Sequence, residues 1–162
     1  MLNEDQIKQI WENMISAETR ALYFADLARI ITVRKQWITG VSFFLASGAA
    51  AELIAKGPAW IAAASTGLVA MISAYSMAVN SDKNIATLTQ LHAGWANIAD
   101  DYQYLWNHVY SDDAESRMLA IQEQEKKYSE MAVSGIPYKP KRLKKWENHI
   151  FYLRNLSDQY VR

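Results

Sequence analysis

From Gly57 to Ser81 the sequence carries no charged side chain, and that run constrains the fold more than any other feature of this 162-residue chain. Pro58 to Val79 alone is 22 residues, about 33 Å as an α-helix against a bilayer hydrocarbon core about 30 Å thick. A shorter apolar stretch precedes it: after Arg34 and Lys35 the sequence reads QWITGVSFFLASGAAA, meets Glu52 and reaches Lys56. Between them stands Gly57-Pro58, where Pro suits the first turn of a helix because its missing N–H is no loss there. So short a turn joins antiparallel neighbours. Trp37, Trp60 and Tyr75 lie near the run ends, where amphipathic rings favour the headgroup layer. The expectation is an all-α membrane protein with a two-transmembrane helical hairpin, its spans at about 37–55 and 58–79. A soluble bundle with a buried, Ala-rich helix pair is the other reading, because Ala, Ser, Gly and Thr insert weakly.

The cations assign the sides. Arg29, Arg34 and Lys35 precede the first span and Lys83 follows the second, whereas the turn offers only Lys56. The positive-inside bias then puts both termini in the cytoplasm of a bacterial inner membrane. The first apolar run follows an acidic, helix-patterned segment, unlike the short basic lead of a cleaved signal peptide. Lys plus Arg equal Asp plus Glu at 17 each, so no overall charge points to nucleic acid. With no cysteine, a disulfide scaffold, a thiolate metal site and a Cys nucleophile are excluded.

Each span carries a polar face. Thr39, Ser42, Ala46, Ala49 and Glu52 share one on the first; Thr66, Ser73, Ser76 and Asn80 nearly share one on the second, beside a row of small residues that includes Gly67. Two readings stand. Small residues let helices approach closely within and between hairpins; alternatively, the polar stripes line a water-filled path in an oligomer, since two spans cannot enclose a pore. Glu52 is the one ionisable group inside a span, hence a functional candidate. It also stands four residues from Lys56, the helix-pairing distance. A ring of Glu52 carboxylates would favour cations.

The flanking segments read as four cytoplasmic helices. Residues 1–35 form an amphipathic helix, capped by Asn3 with Gln6 three residues on. Its small and apolar residues recur in heptads at Ile7, Ile10, Met14, Ala17, Ala21, Phe24, Ala28 and Ile31. Residues 36–80 are the hairpin. Within residues 81–162, Ile85, Leu88, His92, Trp95, Ala99, Tyr102, Trp106 and Val109 repeat the spacing, widened by Leu91, Ile98 and Leu105. This predicts a helix running on from the second span and pairing antiparallel with the first helix as a coiled-coil or bundle stalk, with Trp95, Tyr102 and Trp106 as packing residues. Asp112-Asp113 read as the cap of another helix to about Met131. GIPYKP breaks it, and a last helix carries Leu143, Trp146, Ile150, Leu153 and Tyr160 on one side.

Lys139, Lys141, Arg142, Lys144 and Lys145 form the one dense basic patch. Three readings compete: attraction to anionic inner-leaflet lipid, a site for an anionic signal or nucleic acid, or a solvated face. No nucleic-acid module of recognisable type surrounds it. No phosphate-binding loop, dinucleotide fingerprint, nucleophile elbow or HExxH motif is present. His92, His108 and His149 are too far apart in sequence to suggest a metal site, so neither enzyme activity nor a cofactor is expected.

The layout resembles the SLATT family, two-transmembrane effector domains of bacterial nucleotide-signalling and reverse-transcriptase conflict systems. The residues that carry the resemblance are the Arg34-Lys35 approach to the first span, the tight hairpin, and the long NIATLTQLHAGWANIADDYQYLWNHVY helix. The IPYKP breaker and a basic, Trp-bearing last helix follow. The small outer turn and Ala-rich second span depart from the family's pattern. The resemblance implies a homo-oligomeric pore-forming or membrane-depolarising effector of abortive infection. It also implies a soluble regulatory partner from a nucleotidyltransferase or reverse-transcriptase system. The competing expectation is a non-conducting membrane scaffold whose stalk docks a soluble partner.

Overall fold

The computed structural model describes residues 2–47, 58–78, 81–133, 136 and 138–160. They form five helices and no strand: α1 (Glu4–Ala46), α2 (Ala59–Ala78), α3 (Ser81–Asn107), α4 (Ala114–Val133) and α5 (Pro140–Tyr160). The 43 residues of α1 make a helix about 64 Å long, which continues past Lys35 without a break.

Local chemistry sets the helix starts. The Asn3 Oδ1 accepts from the Gln6 N–H at 2.7 Å and the Gln6 Oε1 accepts from the Asn3 N–H at 2.8 Å, a reciprocal capping box that satisfies two otherwise orphaned donors. α3 ends in successive three-residue turns, in which the His108 N–H donates to Leu105 and the Ser111 N–H to His108, each at 3.0 Å. The Asp113 carbonyl then accepts the first bond of α4, from the Arg117 N–H, and the Lys139 carbonyl does the same for α5. Pro140 occupies the first position of α5, where φ is already helical.

The chain divides into two compact units, residues 1–27 with 87–162 and residues 28–86. The first is a four-helix bundle of the N-terminal part of α1 with α3, α4 and α5. Along α1 and α3 the partners run in opposite order: Trp11 meets Trp106, Asn13 meets Tyr102, Arg20 lies over Trp95, and Ala21 meets His92. This is an antiparallel pair. Ile10, Met14, Ala17, Ala21 and Phe24 supply its α1 side. On α3 the buried line is Leu88, Leu91, Trp95, Ile98, Tyr102 and Leu105. That line is rotated from the expected one: Leu91, Ile98 and Leu105 lie at its centre, while His92 is half-buried and Trp106 is exposed on one edge. Both lines keep a three-four alternation, and the bundle takes the one that has the aliphatic Leu91, Ile98 and Leu105 in place of His92, Ala99 and Trp106.

α4 and α5 flank this pair. α4 buries Ala114, Met118 and Ile121, whereas α5 buries only Ile150 among its described apolar side chains. Leu153, expected to face inward, is 49% exposed. α5 is held to α1 by polar groups instead. The Lys139 N–H donates to the Tyr23 hydroxyl at 2.9 Å, Arg142 pairs with Asp26 at 2.8 Å, and Arg154 pairs with Glu18.

In the second unit, Arg34 lies 4.9 Å from the Tyr75 ring and Lys35 pairs with Asp82. Among the described residues no helix is long and apolar enough to cross a membrane. α2 has no charge, but Ala, Ser, Thr and Gly make up 12 of its 20 residues. The expected turn at Gly57 and the passage from α2 to α3 lie outside the described residues.

Candidate functional site

The two units differ in what they bury: the bundle has a core of apolar side chains as well as exposed ones, whereas residues 28–86 bury no apolar side chain among the described residues. In the bundle, Trp95 is 1% exposed and Tyr102 fully buried. In residues 28–86, Trp37, Phe43, Phe44, Trp60 and Met71 all stand at least 60% exposed, Phe43 at 79%. Val33, Val41 and Leu68 are exposed as well. A hollow of about 560 Å³ lies among Trp37, Gly40, Val41, Phe44 and Leu68, with Gln36 at its rim. Exposed apolar surface of this kind is the candidate contact face of the second unit.

The expected polar stripes sit on this same unit. Thr39, Thr66 and Gly67 are exposed and Ser42 is half-buried. Ser73 and Ser76 belong to α2, their side chains outside the described set, and Glu52 and Asn80 lie outside the described residues. A methyl group placed on Gly67 or Gly40 would meet nothing within 4 Å. Their faces are open for contact with something else.

The stalk residues are placed differently from one another. Trp95 lies at the bundle centre with Arg20 stacked 4.4 Å from its ring, and its Nε1 has no hydrogen-bond partner. Trp106 packs on Trp11 at 5.1 Å while remaining 37% exposed. Only Trp106 of the pair offers surface to a docking partner. The Tyr102 hydroxyl donates to the Glu125 Oε2 at 3.0 Å and accepts from the Asn13 side chain at 3.2 Å. Burial, then the negative charge of Glu125, push the Tyr102 hydroxyl well above the ordinary phenol range. Burial also raises the Glu125 carboxyl, against the opposing pull of the Tyr102 bond and the Arg20 charge. The network joins α1, α3 and α4, and residues 89 positions apart are not linked by any local pattern.

His92 donates through Nδ1 to the Ala21 carbonyl at 2.9 Å, and His108 does so to Tyr104 at 2.8 Å. Both are satisfied locally. Among the described residues no cluster of His, Asp or Glu could hold a metal ion. The basic patch divides: Arg142 is engaged with Asp26, while Lys139, Lys141, Lys144 and Lys145 are exposed. What the sequence did not reveal was the role of Gly94, where a methyl group would come within 2.3 Å of the Tyr128 ring. Its only local signal is a Gly inside a strongly periodic helix.

No protein-family model, curated protein or solved structure matches the chain.

Proposed function

We propose that the chain is an oligomeric, non-enzymatic membrane effector whose second unit enters the bilayer and whose four-helix bundle stays on the cytoplasmic side. The observation that carries this reading is the contrast in cores: every buried apolar side chain among the described residues belongs to the bundle, and residues 28–86 bury none while exposing Trp37, Phe43, Phe44, Trp60 and Met71. Exposed Phe43, Phe44, Trp60 and Met71 would be costly in water, at about 25 cal/mol per Å² of apolar surface. Lipid or neighbouring copies relieve that cost. The Ala-rich α2 gains less from lipid than a Leu-rich helix would, so insertion is coupled to assembly through the open Gly40 and Gly67 faces. Thr39, Ser42, Thr66, Ser73, Ser76 and Asn80 would then line the path between copies, with Glu52 as its charged position.

The resemblance to the SLATT family supports the same reading and supplies its biology: a pore-forming or depolarising effector of bacterial antiphage defence, held back until infection and released by a partner or signal. The test is the membrane potential. Expression in bacteria, and reconstitution into potassium-loaded vesicles, should collapse the potential reported by a voltage-sensitive dye, and Gly67→Leu should block the collapse. A potential that stays intact in densely reconstituted vesicles and in expressing cells overturns the reading, and a stable stalk complex alongside it would indicate a scaffold.

A further inference from the structure

The exposed face of α5 is cationic and aromatic. Lys141, Lys144, Lys145, Asn148 and Tyr152 fall at three-four spacing on one side of the helix and all are exposed. Phe151 flanks them at 45% exposure. No carboxylate lies within this face. Glu147 stands off it, lining a hollow against α1 with Trp11, Ile15 and Thr19 that the edge residue Phe151 also borders. The opposite face, with Leu143, Trp146, Ile150 and Arg154, is the one turned to the bundle. The tethers fix which side is out: the Lys139 N–H on Tyr23, Arg142 on Asp26 and Arg154 on Glu18. Arg142 is thereby spent inside the protein, and no acidic partner neutralises Lys139, Lys141 or Lys144 among the described residues. Tyr138, 69% exposed, adds another aromatic ring just ahead of the helix.

We infer that this face of α5 is a docking surface for an anionic lipid bilayer, lying along the headgroup plane while α5 remains attached to the bundle. Lysines on a polar face beside aromatic rings are the composition of helices that lie in the interface. Lys141, Lys144 and Lys145, the last 5.3 Å from the Trp146 ring yet exposed, supply the attraction to phosphate headgroups, and Tyr152 and Phe151 supply groups that partition to the boundary between headgroup and acyl chain. The rings bracket the lysines, Tyr138 ahead of the helix and Phe151 and Tyr152 in its C-terminal half, instead of alternating with them as stacking platforms for bases would, which favours a lipid surface over a nucleic acid. The inference deepens the membrane reading by giving the cytoplasmic bundle its own, charge-selective contact with the leaflet.

The test is lysine acetylation of the full-length chain, followed residue by residue by mass spectrometry, with phosphatidylcholine vesicles that contain or lack phosphatidylglycerol. Lys141, Lys144 and Lys145 should react about five-fold more slowly with phosphatidylglycerol, the factor that one lysine's attraction to an anionic surface supports. Lys126 on α4 should not change. High salt should abolish the protection. In Lys141→Gln/Lys145→Gln, the remaining Lys144 should lose most of its protection, which separates a shared surface from three separate effects. Equal rates with and without phosphatidylglycerol overturn the proposal. Equal slowing by duplex DNA, RNA or inorganic phosphate without lipid overturns it too, in favour of a soluble anion. Alkaline extraction distinguishes this from the reading it rests on. A chain that washes off yet shows phosphatidylglycerol-dependent protection sinks the inserted hairpin and keeps the α5 surface. An extraction-resistant chain with unprotected lysines does the reverse.

Discussion

At the scale of single residues, two tryptophans of one helix face different consequences. Trp95 is enclosed by the bundle and stacked under Arg20, so Trp95→Ala should cost about 3–5 kcal/mol, the range for deleting a buried aromatic. Trp106→Ala removes only a half-covered contact with Trp11 and should cost about 1 kcal/mol, within the ordinary range for point substitutions. Urea midpoints compare them. Equal losses would mean that the core line is not the one described. Glu125 makes a pH prediction. Its carboxyl is raised above its ordinary value of 4.5 mainly by burial, so across that window the folded chain holds a proton that the unfolded chain releases. Stability from this group is therefore full below the unfolded value and falls as pH rises through the folded one. Glu125→Gln keeps an acceptor for Tyr102 and removes the titration. Relative to the variant, the wild-type chain should lose stability as pH rises from 4.5 toward neutrality. A difference that stays flat, or runs the other way, would show that the carboxylate is stabilised in the fold.

At the scale of elements, helix starts were legible in the sequence because caps are local. Asn3 with Gln6, Asp113 before α4 and Pro140 on α5 each act within a few residues of themselves. The α1–α3 pairing was legible too, since heptads on both segments demand a partner of the same period. The attachment of α5 was not, because the Arg154–Glu18 and Arg142–Asp26 pairs join residues 136 and 116 apart, and a charge offers no periodicity to read. Nor was Gly94, whose role exists only once Tyr128 arrives from α4. Gly94→Ala gains up to about 1 kcal/mol of helix propensity, yet its methyl would overlap the Tyr128 ring. Overpacking costs about 1–3 kcal/mol, so a net loss of stability is expected. Adding Tyr128→Ala should recover the propensity gain. If Gly94→Ala alone stabilises the chain, α3 and α4 are not in close contact there.

At the scale of the whole molecule, two units share one polypeptide, and among the described residues only one of them buries apolar side chains. The uncharged run announced that residues 28–86 would differ from the rest. It could not announce which of their side chains would find partners within the chain, because a stripe of hydroxyls and small residues reads the same whether it faces the other span, a second copy or water. Replacing Phe43, Phe44, Trp60 and Met71 together by Ser leaves every bundle contact in place. The variant should therefore be recovered without detergent while its bundle keeps the wild-type thermal midpoint. A lowered midpoint, or a variant still needing detergent, would mean that these residues serve the fold of a single copy.

The open positions at Gly40 and Gly67 turn the chain into its own molecular ruler. It has no native cysteine, so a thiol introduced at Gly67 is unique, and the empty space around that position tolerates it. Two thiols can bridge only when their backbones come within about 7 Å. Oxidation of Gly67→Cys in membranes would link copies that meet across this face, and a parallel Gly40→Cys variant would report the neighbouring one. Each single thiol can join only two copies; in the Gly40→Cys/Gly67→Cys double variant, oxidation that links each copy to two neighbours would climb a gel as a ladder whose last step counts the copies in a closed ring.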